Sequence, residues 1–518
     1  MTISIKLYQG DVLSSLSKIA SNSVDCIITS PPYYGLRSYS TVGSYSDENK
    51  EIVEQKLNAD LAWYKEHYPL YQYSLSPVIQ RETINEETGE KVLLWHGSVR
   101  FDAGTTWGGN NKCNHQWINE EVSLIHENRN GISGTQENAY QATGNAFIKK
   151  YDKKIAGSCS SCGAWRGDLG LEPDFNMYLN HLLQITAELK RILKPTGTLW
   201  WNIADSYAGN MGKRSGWSYD KAISNEQAQS DGTAISLKAN YSMAAKCKMQ
   251  IPERLSTRMV DEQQWTLRND IIWEKPNHMP SSVKDRLSPG YEHIYFFVKS
   301  KHYFFNLDAI REEYAAVSID RAKYAVQSFQ AYGNLKNATG YTADKIATLN
   351  ESGKNPGDIW RISTKPFRDA HFATFPPDLP ERCMKAGAPK EVCAKCGKPK
   401  VGVTKTITHI PEGGTRDIGG RKDGYTTRLP PNPYSIKEFE GYKPTCACAT
   451  DFIPPTILDP FAGSGTTLLV AKTIWYSSIG IEINPSYSEM IKTRLYWGAG
   501  FGNIEWSYEA DGKGDIDG

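Results

Sequence analysis

Long apolar runs, a secretory signal and a large net charge are all missing from this sequence. None of its 518 residues lies in a run approaching the about 20 apolar residues that a membrane-spanning helix needs. The N-terminus lacks the apolar core and small-residue cleavage site of a secretory signal. The 59 Lys and Arg nearly cancel the 58 Asp and Glu. This balance excludes a polybasic coat or an acidic disordered tail as the whole chain and favours a cytoplasmic protein of several parts.

Ten cysteines are present, and their spacing favours metal binding over a disulfide framework. Two ligands a few residues apart can face one ion, and a distant second pair completes a tetrahedral zinc shell. Glycine follows each Cys-x-x-Cys pair, as in tight knuckle turns. We expect two structural zinc sites, with reduced or redox-active thiols as the alternative. The expected ligands are Cys113, His115, Cys159 and Cys162 in one site and Cys393, Cys396, Cys446 and Cys448 in the other. Of the remaining cysteines, Cys26, Cys247 and Cys383, the first lies in an apolar run and is expected to be a buried, inert thiol.

The apolar patterning predicts an α/β protein interrupted by insertions. Residues 175–193 have the period of an amphipathic helix that a Lys-Pro-Thr-Gly segment ends. Residues 24–29 are typical of a buried parallel strand. Further strands are expected at 3–7, 198–203, 271–274, 291–298, 456–459 and 479–482, with a helix from 466. No clear period is present in 34–170, 206–250, 315–357 or 388–450.

A glycine-rich segment, residues 459–467 (Asp-Pro-Phe-Ala-Gly-Ser-Gly-Thr-Thr), joins a predicted strand to a predicted helix. Its two glycines allow a ligand to approach the backbone closely, and Asp459 can accept hydrogen bonds from a cationic amine. Glu482 ends the next strand about twenty residues on, where an acid can bind ribose hydroxyls. Because no GxGxxG and no GxxxxGK[ST] occurs, the pattern predicts a nucleoside ligand without a pyrophosphate.

A Thr-Ser-Pro-Pro-Tyr segment, residues 29–33, follows the buried strand at 24–29. Open α/β sheets bind ligands at the carboxyl ends of their strands. The two prolines fix the backbone and direct its carbonyls outward, Ser30 adds a hydroxyl acceptor, and Tyr33 offers a face for base stacking. Alone, this segment is typical of an ordinary strand terminator. Its combination with the glycine-rich segment favours a ligand site.

These two segments resemble those of amino-group DNA methyltransferases that use S-adenosylmethionine. Residues 29–33 look like the catalytic motif of that family, and residues 459–467 look like its cofactor loop. Their order in the chain is that of the beta class. Further similar segments are Gly10-Asp11 and residues 194–197, 279–286 and 371–376. The resemblance implies an α/β fold, a circularly permuted Rossmann-like class I methyltransferase sheet with large zinc-braced insertions.

The resemblance also assigns roles to residues of this sequence. The expected catalytic residues are Ser30, Pro31, Pro32 and Tyr33. The expected cofactor-binding residues are Asp11, Thr374, Phe375, Asp459, Phe461, Gly463, Gly465 and Glu482. Lys284 and Arg286 are expected to contact DNA because they match a family segment near the active face.

The same resemblance divides the chain into a core and its insertions. Core parts are expected at 1–33, which ends in the catalytic loop, at 171–310, which contains a polar loop at 206–250, and at 451–500, which binds the cofactor. The intervening parts are an insertion at 34–170 with one zinc site, a variable region at 311–370 with a possible role in target recognition, a cofactor-lining segment at 371–387 and a zinc-knuckle insertion at 388–450, and residues 501–518 form a tail.

The implied reaction is methylation of an exocyclic amine on a base flipped out of double-stranded DNA. Ser before Pro-Pro-Tyr is associated in the family with cytosine N4, so Ser30 favours N4-methylcytosine over N6-methyladenine. Methylation at cytosine C5 needs a thiolate that follows proline in its own family, and the sequence has no Pro-Cys dipeptide. A zinc-stabilised DNA-binding protein without catalysis is the alternative from another class.

Contact with DNA is expected to involve the insertions. The polar loop at 206–250 is rich in cationic side chains: Lys213, Arg214, Lys221, Lys238, Lys246 and Lys248. Such side chains can fix the register of a protein on DNA through phosphate contacts, and a solvated polar loop is an equal alternative.

A cognate restriction endonuclease is a candidate partner, and the sequence leaves the oligomeric state and target sequence open.

Overall fold

The computed structural model describes most of the core and parts of the insertions. The described residues are 2–34, 41–69, 71–76, 78–84, 91–102, 105–109, 113–124, 152–208, 243–244, 246–278, 280–281, 283–318, 353–365, 375–409, 416–418, 427–429, 434–497, 504–510 and 516–517. Thr374, Lys213, Arg214, Lys221, Lys238 and much of the expected variable region at 311–370 lie outside them.

A ten-stranded mixed sheet forms the centre of the described structure. Its strands are β1 (Ile3–Gln9), β2 (Val24–Thr29), β11 (Leu193–Ile203), β12 (Thr266–Glu274), β13 (Tyr291–Val298), β14 (Ile359–Arg361), β21 (Thr456–Asp459), β22 (Ser477–Glu482), β23 (Ile504–Ala510) and β24 (Ile516–Asp517). They are ordered β14-β12-β13-β11-β2-β21-β22-β1-β23-β24. The run from β11 to β23 is parallel, whereas β13 pairs with both β11 and β12 in antiparallel fashion. The α/β prediction is confirmed.

The strand order brings the two ends of the chain together. Strand β2 lies between β11 and β21 and is parallel to both. The carboxyl ends of β2 and β21 therefore lie side by side, although residues 29 and 459 are far apart in sequence. This arrangement places the two motif loops at one edge of the sheet.

Seven helices are described, most of them packed on the central sheet. They are α1 (Val12–Ser17), α2 (Lys50–His67), α3 (Phe175–Ile192), α4 (Ile251–Gln263), α5 (Asp378–Gly387), α6 (Thr466–Thr473) and α7 (Pro485–Trp497). The expected helix at 175–193 is confirmed: Asp174 caps α3 by accepting the Asn176 N–H, and one face of α3 is buried. The Lys-Pro-Thr-Gly segment then lies within β11, where the register with β2 shifts between Leu193 and Thr198.

Both faces of the sheet are covered by apolar side chains. In β11, Trp201 belongs to one buried cluster with α3, and its neighbour Trp200 belongs to the opposite cluster with α5. Successive side chains of a strand alternate between its faces, so a run of buried residues indicates a strand covered on both sides. The thiol of Cys26 is fully buried in the second cluster, and burial raises its pKa to about 12. The expectation of a buried thiol is confirmed.

The insertions contain regular structure that the sequence patterning did not reveal. Between 34 and 170, the 18-residue helix α2 packs beside a small sheet of β3 (Thr41–Asp47), β4 (Gln72–Leu75), β5 (Ile79–Ile84) and β6 (Lys91–Asp102). A second small sheet contains β7 (Thr106–Trp107), β8 (Trp117–Leu124), β9 (Asp152–Cys159) and β10 (Trp165–Arg166). The lack of a clear apolar period over 34–170 therefore did not reveal the helix and the strands that this region contains.

The described part of the second insertion contains antiparallel pairs of strands. They are β15 (Val392–Cys393) with β20 (Phe452–Ile453), β16 (Lys400–His409) with β19 (Tyr434–Pro444), and β17 (Arg416–Ile418) with β18 (Thr427–Leu429). None of the helices in the described ranges combines the length and apolarity needed to traverse a lipid bilayer.

Candidate active site

The loop after β2 and the loop after β21 are joined by a buried hydrogen bond. Thr29 Oγ1 donates to Asp459 Oδ1 at 2.8 Å. Asp459 also accepts the Phe461 N–H through Oδ1 at 3.1 Å and the Thr467 hydroxyl through Oδ2 at 2.6 Å. Asp459 thus ties the end of β2 to both ends of the glycine-rich segment.

The glycine-rich segment turns sharply between β21 and α6. Gly463 has a φ of 54° and Gly465 a φ of 77°, in the left-handed region that favours glycine. The Gly463 N–H donates to Glu482 Oε2 at 2.8 Å, and the Asn484 N–H donates to Glu482 Oε1 at 2.8 Å. The structure therefore brings Glu482 against the turn. Phe461 packs partly buried against the main core beside it.

Both acids of this turn are buried and lack a cationic partner in the hydrogen bonds that hold them. Burial raises the pKa of Asp459 to about 6, against the opposing effect of its hydroxyl and amide donors. Burial, aided by the charge of Asp459, raises the pKa of Glu482 to about 8. Carboxyl groups with raised pKa values in a cleft are typical of ligand sites. A cation or hydroxyl donor at this position would favour their charged forms.

The other expected cofactor residues lie in different settings. Asp11 caps α1, where its Oδ1 accepts the N–H groups of Leu13 at 3.0 Å and Ser14 at 3.1 Å. It follows β1 next to the end of β22, where the Gly10 N–H donates to the Glu482 carbonyl at 3.0 Å. Phe375 is partly buried against the second apolar cluster.

The Ser-Pro-Pro-Tyr loop is held from several sides. The hydroxyl of Ser30 donates to Tyr33 Oη at 3.0 Å. Tyr33 Oη in turn lies 3.0 Å from Asn202 Oδ1 at the end of β11 and 2.8 Å from Glu292 Oε2 at the start of β13. Lys275 forms an ion pair with the same carboxylate. Sequence reasoning missed Asn202, Lys275 and Glu292. For Asn202 and Glu292, the available signal was a polar residue near the end of a largely apolar strand.

Helix α3 and the end of the first insertion contact the same loop. The Tyr178 hydroxyl donates to the Pro32 carbonyl at 2.7 Å. A Cβ on Gly170 would lie 2.9 Å from the Tyr33 carbonyl oxygen, and the Gly170 φ is 92°. Glu172 accepts the Gly170 N–H at 2.7 Å and pairs with His181 at 2.8 Å. The rings of Trp107 and Trp165 stack on His181, so the small second sheet packs against α3.

The expected DNA-contact residues lie on the connection between β12 and β13. The Arg286 guanidinium lies 3.8 Å from the centre of the Tyr207 ring. Its Nη1 has no hydrogen-bond partner among the described residues. Lys284 is exposed. Of the cations of the polar loop, Lys246 pairs with Asp285 at 2.6 Å and Lys248 lies 3.7 Å from Asp205, so neighbouring acids offset both charges.

Each expected set of metal ligands converges on one point. In both sets, the four ligand atoms lie within 4.8 Å of one another. Four ligands about 2.3 Å from a tetrahedral zinc ion lie about 3.8 Å apart. In the first set, Cys113 Sγ lies 3.9 Å from Cys159 Sγ, and Cys162 Sγ lies 3.4 Å from His115 Nδ1. The donor atoms therefore fit a tetrahedral ion.

The two Cys-x-x-Cys turns also share one backbone pattern. The Gly163 N–H donates to the Cys159 carbonyl at 2.9 Å, and the Gly397 N–H donates to the Cys393 carbonyl at 2.8 Å. Both glycines have a positive φ, 72° and 68°. The expected knuckle turns are confirmed, and they direct both thiols of each pair to one side.

Taken together, the sheet and the two joined loops define an α/β protein in which a glycine-rich turn lies next to a Ser-Pro-Pro-Tyr loop. A family model described as DNA methylase, for N6 and N4 enzymes, matches residues 147–392 and 455–493, more than half of the chain. The chain belongs to this family of amino-group DNA methyltransferases, and the beta-class resemblance seen in the sequence is confirmed.

Several known proteins are similar to the chain. The type II methyltransferase M.XycI of Xanthomonas campestris pv. cyanopsidis is 29% identical over 330 residues, which cover 63% of this chain and 74% of that protein. M.Cfr9I of Citrobacter freundii is 28% identical over 330 residues, with the same coverage of 63% and 74%. The structure of the PvuII DNA methyltransferase, titled cytosine-N4-specific, is 12% identical, has a TM-score of 0.39, and covers 97% of this chain and 95% of that chain.

Proposed function

We propose that this protein transfers a methyl group from S-adenosylmethionine to the exocyclic N4 amine of a cytosine flipped out of double-stranded DNA. The observation that carries the proposal is the hydrogen bond of 2.8 Å from Thr29 to Asp459. It holds the Ser-Pro-Pro-Tyr loop beside the glycine-rich segment, as transfer between two bound molecules requires. The catalytic motif precedes the cofactor loop in the chain, which supports a circularly permuted sheet.

The residues around Asp459 fit S-adenosylmethionine. Its cationic amino acid end calls for a carboxylate and its ribose for hydrogen-bond acceptors. We assign these roles to Asp459 and Glu482, whose buried carboxyl groups gain by pairing with such donors. The left-handed turn at Gly463 and Gly465 leaves room for close approach. Asp11, Phe461, Thr374 and Phe375 complete the proposed cofactor set.

The Ser-Pro-Pro-Tyr loop provides the second half of the reaction. An exocyclic amine is a weak nucleophile because its lone pair is conjugated with the ring. Acceptors at Ser30 Oγ and the Pro31 carbonyl would bind its two N–H groups and favour a pyramidal nitrogen. Pro32 fixes the loop, and the Tyr33 ring stacks on the extruded base. When bound, S-adenosylmethionine supplies an electrophilic methyl group, and positioning provides most of the catalysis.

Nucleoside mass spectrometry tests both the reaction and the base. Purified protein is incubated with duplex DNA and isotope-labelled S-adenosylmethionine, and the DNA is digested to nucleosides. We expect labelled N4-methylcytosine. Labelled N6-methyladenine alone would overturn the assignment of the base and keep the amino-group chemistry. Thermal stabilisation by S-adenosylmethionine with no methylated nucleoside would favour a zinc-stabilised DNA-binding protein without catalysis.

The proposed DNA contact is made by the connection between β12 and β13. Arg286 is held by its stacking on Tyr207 and is partly exposed. A guanidinium fixed in this way can donate to a phosphate or a base edge with little loss of side-chain entropy. Lys284 is exposed close by and suits a phosphate contact.

The relatives are type II methyltransferases, which supports a cognate restriction endonuclease as a partner.

We also propose a structural zinc ion in each cysteine cluster. The four converging ligands of each set leave no open position for substrate in a tetrahedral shell, so the ions stabilise loops. In the second cluster, the Gly397 turn lies against the Lys194 side chain of the core. In the first cluster, Cys159 ends β9 and Trp165 in the following β10 packs on His181. Each ion would thereby anchor an insertion to the sheet.

A further inference from the structure

A chain of hydrogen bonds runs from the catalytic loop to an ion pair at the start of β13. Ser30 donates to Tyr33 Oη at 3.0 Å, and Tyr33 Oη lies 2.8 Å from Glu292 Oε2. The Asn202 amide donates to the same Glu292 oxygen at 3.1 Å, and Lys275 donates to the other. The side chains of Glu292 and Lys275 are only 13% and 19% exposed. A carboxylate is therefore held, paired and sheltered, two bonds away from Ser30.

The direction of these bonds decides what Ser30 can do. Tyr33 has one hydroxyl proton and two neighbours that can accept it, Glu292 Oε2 at 2.8 Å and Asn202 Oδ1 at 3.0 Å. The carboxylate is the stronger acceptor because it is charged. With that proton on the Glu292 side, Tyr33 Oη accepts the Ser30 proton. Because the Ser30 proton then points at Tyr33, the lone pairs of Ser30 Oγ can accept an amine N–H.

We propose that Glu292 is a positioning residue that acts through Tyr33 to make Ser30 a hydrogen-bond acceptor, and that it receives the proton lost after methyl transfer. The inference rests on the proposed function, because it needs an amine bound at Ser30. Asn202 and Lys275 hold the carboxylate in place. The groups facing Glu292 are Tyr33 from the β2 loop, Asn202 from β11 and Lys275 at the end of β12.

The proton steps balance along this path. The amine nitrogen forms its bond to the methyl carbon as the carbon–sulfur bond of the donor breaks, and the electron pair stays on sulfur. The nitrogen then carries a positive charge. Its proton passes to Ser30 Oγ, the Ser30 proton passes to Tyr33 Oη, and the Tyr33 proton passes to Glu292. Serine and tyrosine end neutral, and Glu292 becomes a carboxylic acid that returns its proton to solvent.

Single-turnover rates of methyl transfer at one fixed pH test the proposal. Glu292→Gln and Tyr33→Phe should each lower the rate about 100-fold, because Tyr33 then no longer directs the Ser30 proton away from the bound amine. The double variant should lose little more than either single variant, since both break one chain. Glu274→Gln, at the end of the adjacent β12 and paired with exposed Arg361, is the matched control and should keep the wild-type rate.

Two further measurements separate this role from a merely structural one. The dissociation constant for S-adenosylmethionine and the fluorescence of a 2-aminopurine probe at the target base should be unchanged in Tyr33→Phe, which keeps the stacking ring. Multiplicative losses in the double variant, or a wild-type rate in Tyr33→Phe, would overturn the proposal. If Glu292→Gln does not fold, the Tyr33→Phe rate alone decides. Absence of methyl transfer by the wild type would instead overturn the proposed function.

Discussion

Thr29 and Asp459 are 430 positions apart in the sequence, and a buried hydrogen bond of 2.8 Å joins them. The bond exists because β2 and β21 are parallel neighbours and their loops leave the sheet at the same edge. The two motifs are therefore held in one site by the sheet itself. Replacing either residue should affect both loops.

Thr29→Val removes this bond while keeping the shape of the side chain. Asp459 loses one of its three donors in a buried site, so we expect the free energy of unfolding to fall by about 1–3 kcal/mol. Affinity for S-adenosylmethionine should fall as well, because Asp459 loses part of its orientation. Thr473→Val is the control, since its hydroxyl is exposed and donates only to the Leu469 carbonyl in the same helix. Equal stability of the two variants by urea denaturation would contradict the expected coupling.

The raised pKa values of Asp459 and Glu482 predict that stability and ligand affinity depend on pH. Burial raises the pKa of Glu482 from 4.5 to about 8, so the folded state favours the protonated form. Its contribution to the stability of the ligand-free protein is present at low pH and is lost as pH rises through about 8. A ligand that donates hydrogen bonds to Glu482 favours the carboxylate. Affinity for S-adenosylmethionine should therefore rise from about pH 6 to pH 8, with release of a proton near pH 7.

Calorimetry in buffers of different ionisation enthalpy measures that proton release. Glu482→Gln is the control, because it removes this titration and leaves any titration of the ligand itself. The difference between wild type and Glu482→Gln should reach about half a proton or more at pH 7. Identical proton release in the two proteins would show that Glu482 does not change its ionisation on binding.

Gly170→Ala tests the contact between the first insertion and the catalytic loop. The new Cβ would lie 2.9 Å from the Tyr33 carbonyl oxygen at a φ of 92°. We expect a loss of about 1–3 kcal/mol in stability and a lower turnover number, because the loop must move. Gly357→Ala shares a positive φ, 80°, but its Cβ would meet nothing within 4 Å. Turnover equal to that of Gly357→Ala would mean that the loop tolerates the shift.

Metal analysis tests the two proposed zinc sites. Plasma emission spectrometry should find about two zinc ions per chain. Cys162→Ser and Cys396→Ser should each lose one ion and lower the melting temperature. Cys247→Ser should keep both ions, because Cys247 is exposed and outside both ligand sets. A full zinc content in Cys162→Ser would show that its thiol is not a ligand.

The sequence predicted the parts of the fold whose signal is local. The buried run at β2 and the amphipathic period of α3 mark regular structure without any knowledge of the partners. Helix α2 was not predicted, because only Val53, Leu57 and Tyr64 of its 18 residues are buried, too few to produce a clear apolar period. The pairing of β2 with β21 leaves no local trace in the sequence, and the family resemblance implied only that both strands belong to one circularly permuted sheet.

The candidate site divides in the same way. Ser30, Asp459 and the loop glycines stand out because proline and glycine restrict or free the backbone locally. Glu292 and Asn202 did not stand out, since each is a polar residue near the end of a strand whose role depends on which strands become neighbours. Their contact with Tyr33 could be found only from the three-dimensional arrangement.

We propose that the two loops form one site that methylates an amine of DNA. Modification-sensitive sequencing of DNA from a methylation-free host that expresses the gene tests this proposal, with Ser30→Ala as the comparison. We expect N4-methylcytosine at every copy of one short sequence with the wild type and at none with Ser30→Ala. Unmodified DNA with the wild type, or modification that persists in Ser30→Ala, would contradict it.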